Sequence, residues 1–264
     1  MSSLRGRRIL ITRARQQAGD LAQALAERGA VPIVFPTIEI APPDDYTPLD
    51  NALKQLPGYD WLVFTSVNGV AAFCDRLAAA GLDAGTLLGR RTAAIGPATA
   101  RALSQRGVQV ELVPDEYVAE AIVDGLGEVV GQWILLPRAE VAREALAEEL
   151  GRRGAVVHEI PVYRTLPARP DGAALAELHQ GLDVLTFASA SAVHNFVALL
   201  SQAGLSVSRL LGRAQVACIG PITAQAAREL GLPVHVQAQQ YTLAGLVQAL
   251  EQHFAQLGPG AAEN

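Results

Sequence analysis

The stretch Ala94-Ile95-Gly96-Pro97-Ala98-Thr99-Ala100 returns in the same chain as Cys218-Ile219-Gly220-Pro221-Ile222-Thr223-Ala224, 124 positions later. The copy is not isolated. Arg138 follows Arg13 at an offset of 125, and Arg153-Gly-Ala-Val156 repeats Arg28-Gly-Ala-Val31 at the same offset. Asp183-Val-Leu-Thr-Phe-Ala-Ser189 repeats Asp60-Trp-Leu-Val-Phe-Thr-Ser66 at 123, and Tyr241 follows Tyr117 by 124. One insertion or deletion per segment accounts for the drift. A period this long excludes a solenoid of short repeats and points to a duplicated domain. The fold must therefore be one that two similar halves can each build.

Each half reads as alternating strand and helix. Ile9–Thr12 is a buried-strand run, and a helix over 16–28 follows, with Ala18, Leu21, Ala22 and Leu25 on one face. Gly29 stops it, and Val31–Phe35 is the next strand. Such a unit makes the strands parallel, with a right-handed crossover. Trp61–Thr65, Thr92–Ile95 and Val108–Val113 are further strands, and 48–56 and Ala119–Leu126 are helices. Weakly structured, proline-punctuated segments at Pro36–Pro48 and Pro161–Pro170 lie inside the repeats, not between them. Domain boundaries tend to fall in such linkers. The chain would then leave its first domain after two strands, complete a second, and return. Residues 1–36 with 168–257 form one domain and 43–160 the other, with 37–42 and 161–167 as linker strands. Two contiguous halves are the alternative.

At 264 residues, half of them hydrophobic, the chain can bury a core in each of two domains. Aromatics are only 5%, so Ala, Leu and Val carry that core, as doubly covered parallel sheets require. The net charge of −5, with no block of Lys or Arg, argues against nucleic acid as a partner. No run is long enough for a membrane span, and Met1–Arg8 does not read as a signal peptide, so a cytoplasmic protein is expected. Cys74 and Cys218 read as reduced buried thiols. Tyr117 and Tyr241 are expected to plug the sheet edges, and 258–264 reads as a frayed tail.

Open parallel sheets bind ligands beyond the carboxyl ends of their strands. The residues there are Thr12 and Arg13; Ser66 and Asn68; Gly96, Pro97 and Thr99; Pro137 and Arg138; Ser189 and Ser191; and Gly220, Pro221 and Thr223. They include no His, Cys, Asp or Glu, which removes metal centres and acid–base triads, and no glycine-rich phosphate loop occurs. Proline suits the first helical position, and the first-turn amides of each helix lack internal acceptors. Together with hydroxyls and two arginines they suit a polyanion, bound in a cleft between the halves. Each hydroxyl also fits an ordinary helix cap, and either arginine could be a plain surface charge. Glu39 and Tyr163 occupy matching places in the two linkers. A linker tyrosine could donate a proton or simply pack. The five histidines form no ligand set.

Together, the Ile-Thr-Arg13 opening, Phe64-Thr-Ser-Val-Asn-Gly69, both Ile-Gly-Pro-x-Thr-Ala turns, Pro161-Val-Tyr163-Arg-Thr165 and Phe187-Ala-Ser-Ala-Ser191 resemble the uroporphyrinogen-III synthase family over residues 8–254. The departure is Phe-Ala-Ser where members often carry Thr or Phe before Ser. The resemblance implies an α/β fold of two similar parallel-sheet, flavodoxin-like domains joined by a two-stranded linker, with the ligand cleft between them. It implies cofactor-free closure of hydroxymethylbilane, a linear tetrapyrrole with eight carboxylates, to uroporphyrinogen III, with loss of water and inversion of the last ring. Tyr163 matches the family's linker tyrosine and is the catalytic candidate. Arg13, Ser66, Asn68, Gly96, Thr99, Arg138, Ser189, Ser191, Gly220 and Thr223 are expected to bind substrate, in a monomer with no metal. A non-catalytic cytoplasmic two-lobed sensor of a polyanion is the other reading these residues allow.

Overall fold

The computed structural model describes residues 2–257, except 117, 143, 170, 171 and 213. The elements begin with β1 (Arg8–Ile11), α1 (Arg15–Ala26), β2 (Val31–Val34), β3 (Ile38–Ala41), α2 (Thr47–Lys54), β4 (Trp61–Phe64) and α3 (Val67–Ala79). Next come β5 (Arg91–Ala94), α4 (Pro97–Gln105), α5 (Ala119–Leu126), β6 (Trp133–Ala139), α6 (Ala145–Arg152) and β7 (Val156–Pro167). The chain continues through α7 (Gly172–His179), β8 (Val184–Phe187), α8 (Ala190–Gln202) and α9 (Val207–Leu211). It closes with β9 (Gln215–Cys218), α10 (Pro221–Glu229), β10 (Val236–Gln237) and α11 (Leu243–Leu257). Two compact units result, one from the chain up to Glu39 and from Leu166 onward, the other from Ile40–Thr165.

The expected α/β architecture with parallel sheets is what forms. The first unit's sheet runs β2-β1-β8-β9-β10, which places the unit's first two strands at one side and its last three at the other. The second sheet runs β3-β7-β6-β4-β5. Their pairings coincide under the sequence offsets. Arg8 opposes Val31 as Trp133 opposes Val156, and Ile11 opposes Val34 as Leu136 opposes Glu159. Ile9 opposes Val184 as Ile134 opposes Trp61.

Both faces of each sheet are covered, and strand alternation divides the residues between them. Leu10, Leu185, Phe187, Val216 and Cys218 pack with α8 and α10. Ile9, Ile11, Val184 and Ala217 pack with α1 and α11. The second unit does the same, with Leu62, Phe64 and Leu135 on one side and Trp61, Val63, Ile134 and Leu136 on the other. Each such fully buried large side chain stabilises by about 1.5–3 kcal/mol.

An aspartate anchors the amino end of each sheet. The Asp183 carboxylate accepts the Arg8 amide at 2.8 Å and the Arg7 guanidinium at 2.9 Å. Asp60 accepts the Trp133 amide at 2.8 Å in the matching place.

The expected strand over Val108–Val113 is reduced to one bridge, between Ala93 and Leu112. The amides of Glu111 and Leu112 both turn to the Thr92 carbonyl, and the Leu112 side chain packs against Gly125 of α5, so pairing cannot extend. The helix expected over 48–56 stops at Lys54 and ends in a 3-10 turn over Leu56–Gly58, because Pro57 restricts the residue before it. Pro161–Pro170 is not weakly structured at its start. β7 runs through Pro161 to Pro167, and a register shift between Arg138 and Ala139 accommodates the missing amide. Tyr117 and the tail 258–264 lie outside the described residues.

Replacing Asp183 with Ala strands two donors at a sheet end. Asp183→Ala should lower unfolding stability by about 1–3 kcal/mol in urea, whereas Asp115→Ala, at an exposed position, should leave the midpoint unchanged.

Candidate functional site

β1, β4, β5, β8 and β9 each deliver the chain to a helix start at the same end of their sheet. In the first unit this brings Arg13, Ser189 and Ser191 together. They line one pocket of about 180 Å³ with Thr12, Gln17, Thr37 and the first turn of α8. That volume suits one carboxylate arm and is too small for a whole drug-sized ligand.

Arg13 is half-buried. Burial pulls its guanidinium below the ordinary range, and Asp20 only partly offsets this. Its only hydrogen bond among the described residues is a long one, 3.4 Å, to the Gln17 side-chain oxygen. A desolvated cation with no paired carboxylate is complementary to an incoming anion. Thr12 is not available to a ligand. Its hydroxyl donates to the Thr186 carbonyl at 2.8 Å, and Thr37 donates to the Thr12 carbonyl at 2.9 Å. These two threonines hold the floor of the pocket, and Thr37 was not singled out by the sequence reading.

Ser189 caps α8. Its hydroxyl accepts the Ala192 amide at 3.2 Å and lies 3.1 Å from the Ser191 hydroxyl. One strand over, Gly220 begins α10. Gly96 and Gly220 have φ of −172° and −176°, an extended backbone open to any residue, so conformational freedom does not explain them. Neither offers a side chain to cap its helix, and Pro occupies the first position. The amides of Ala98 and Thr99, and of Ile222 and Thr223, have no acceptor among the described residues. Thr99 and Thr223 are buried, and their hydroxyls likewise have no partner.

Gly220 is explained by its neighbour. A Cβ there would lie 3.1 Å from the Tyr241 ring. Tyr241 is 65% exposed and does not plug the sheet edge as expected. The ring rests on the Gly220 backbone instead.

In the second unit, Ser66 caps α3 by accepting the Gly69 amide at 2.9 Å, and its oxygen is 3.2 Å from the Tyr163 hydroxyl. The Tyr163 ring is buried among Leu135, Val162 and the α3 face. Gly69 sits in a tight place, where a Cβ would meet the Pro137 carbonyl at 3.1 Å and the Ser66 hydroxyl at 3.2 Å. Asn68 sits half-buried in the same first turn.

Arg138 is the main departure from expectation. It is 8% exposed and ion-paired with Glu159, so its charge is committed inside the fold rather than presented to a ligand. The signal was present in the sequence. Glu159 interrupts an apolar strand at the place where the first half has Val34.

His158, His235 and His253 have local hydrogen-bond partners. His158 bonds the Tyr59 hydroxyl at 2.8 Å, and His235 accepts the Val216 amide at 3.0 Å. Among the described residues no group of His, Cys, Asp and Glu could hold a metal. Cys218, two residues before Gly220, is buried, and burial pushes its thiol up to about 11. Cys74 is raised for the same reason. Both should therefore resist iodoacetamide at pH 8 in the native protein and react only in denaturant; native labelling would contradict their burial.

The chain matches a family model described as "Uroporphyrinogen-III synthase HemD" over residues 19–248. It is 37% identical to the uroporphyrinogen-III synthase of Synechococcus elongatus over 252 residues, 94% of this chain and 95% of that one. It is 30% identical to that of Chlorobaculum parvum, covering 86% and 91%. Among solved structures, a mutant uroporphyrinogen III synthase from Thermus thermophilus matches with a TM-score of 0.61 at 22% identity, covering 95% of this chain and all of that one. The Helicobacter pylori protein matches with 0.61 at 17%, covering 94% and 99%. These structures agree in fold. On the family match and the nearly full-length relatives, the chain belongs to the uroporphyrinogen-III synthase family.

Proposed function

We propose that this chain is a cyclising hydro-lyase that converts hydroxymethylbilane to uroporphyrinogen III without a cofactor, in tetrapyrrole biosynthesis. The observation that carries the reading is Arg13, half-buried in a pocket of carboxylate size with no carboxylate of its own. A substrate with eight carboxylates needs several such receivers. The unpaired amides and buried hydroxyls of the two Gly-Pro-x-Thr turns are the others, with the α8 and α3 starts at Ser189, Ser191, Ser66 and Asn68 beside them. Each helix-end contact contributes about 0.3–1 kcal/mol, so binding is the sum of many. Arg138 has no direct part in this reading; its ion pair with Glu159 holds the end of β6 against β7. The matching register of the two sheets supports descent from one duplicated domain.

The chemistry asks little of the protein beyond positioning. Electron density from the pyrrole nitrogen expels the hydroxyl from the adjoining carbon, and the oxygen leaves with the bonding pair and one proton as water. The resulting cation is conjugated with the ring. That cationic carbon first bonds the carbon of the last ring that already carries its bridge to the third ring. The old bridge bond then breaks, with its electron pair returning to the last ring. The bridge carbon becomes a second conjugated cation, and it bonds the last ring's free carbon, which releases a proton. Tyr163 is the candidate donor to the departing oxygen, and Ser66 orients its hydroxyl. The proton lost at ring closure would restore the phenol. The fold must also keep the chain from closing without inversion of the last ring.

Incubating the protein with hydroxymethylbilane and resolving the isomers tests this directly. Uroporphyrinogen III well above the spontaneous background is expected; the non-inverted isomer alone, at the spontaneous rate, would contradict it. Arg13→Ala should raise KM about tenfold with a smaller change in kcat, the loss of one charge-assisted contact. Tyr163→Phe should lower kcat by about 10²-fold or more, as loss of an acid does, and full turnover with unchanged isomer selectivity would end that role.

A further inference from the structure

Tyr241 is a large aromatic side chain left 65% exposed, on a backbone held by local hydrogen bonds. Thr242 next to it accepts the Gly245 amide at 3.0 Å, and the Thr242 amide donates to the Gln240 carbonyl at 2.8 Å. Gly245 has no room for a Cβ against that same carbonyl. The ring lies against Gly220, whose extended backbone any residue could adopt and where a Cβ would come within 3.1 Å of the ring. Two residues on, Ile222 is 77% exposed. The same turn carries the amides of Ile222 and Thr223 and the hydroxyl of Thr223, a residue 5% exposed, none of which has a hydrogen-bond partner among the described residues. An exposed π-surface thus stands at a turn that offers hydrogen bonds to an anion.

We infer that Tyr241 is a stacking residue for the substrate, its face taking one pyrrole ring while a carboxylate of that ring reaches the amides of Ile222 and Thr223. The inference rests on the tetrapyrrole reading above and adds a residue to it. A flat, electron-rich pyrrole with short carboxylate arms matches the pairing of an aromatic face with adjacent amides. A planar side chain with few rotatable bonds loses little entropy on ordering.

The test compares wild type, Tyr241→Phe and Tyr241→Leu in two readouts: steady-state turnover of hydroxymethylbilane, and direct binding of uroporphyrin III by fluorescence titration. Tyr241→Leu should raise both KM and the product Kd about tenfold, the scale of one lost aromatic stack, while the urea midpoint stays at the wild-type value. Tyr241→Phe should match wild type, because the ring and not the hydroxyl is used. Unchanged Kd and KM in Tyr241→Leu would overturn the stacking role, as would equal losses in both variants. The binding readout separates this from the function itself. A wild-type protein that fails to turn over, but binds uroporphyrin III in a Tyr241-dependent way, would sink the proposed reaction and leave the stacking residue standing.

Discussion

A helix that starts directly after a buried parallel strand has amides with no acceptor in its first turn. This chain treats those amides in two ways. At α3 and α8 a serine satisfies one of them from within. At α4 and α10 a Gly-Pro pair leaves them open. Because the strands are parallel, all these starts lie at one end of their sheet, and on the proposed reading each unit's capacity to receive an anion follows from that arrangement rather than from net charge, which is negative.

The two halves keep the same strand register and the same aspartate anchors, yet their strand-end arginines differ. Arg13 faces a pocket without a carboxylate, whereas Arg138 is buried against Glu159. One substitution on the neighbouring strand, Val34 against Glu159, accounts for the difference. On the proposed reading, a single scaffold has thus been specialised: one copy offers a cation to the substrate and the other offers Tyr163 on a serine.

Much of the fold was legible because buried parallel strands and amphipathic helices leave strong patterns. Ile9–Ile11 and Trp61–Phe64 are continuous apolar runs, and the α1 stripe is regular. The strand expected at Val108–Val113 does not form because Leu112 packs on α5 and Val108 and Val110 on the opposite face, while the backbone pairs at a single bridge. Pairing is a property of the partner and leaves no local trace. The site was legible as a set of strand-end positions, but the state of each member was not. Arg13 and Arg138 follow similar apolar strand runs, and their different surroundings, with Glu159 on the strand beside Arg138, are set by the fold. Tyr241 was read as a plug because an aromatic next to a strand more often packs inward; the bare backbone of Gly220, 21 residues earlier in the chain, is what draws the ring out.

The central claim is that unpaired strand-end amides and one unpaired arginine receive the carboxylates of a tetrapyrrole. A crystal structure with bound uroporphyrinogen III or its oxidised porphyrin examines this most directly. The account predicts a carboxylate on the Arg13 guanidinium and others about 3 Å from the amides of Thr99 and Thr223. Carboxylates directed into solvent, with Arg13 still facing Gln17 alone, would contradict it.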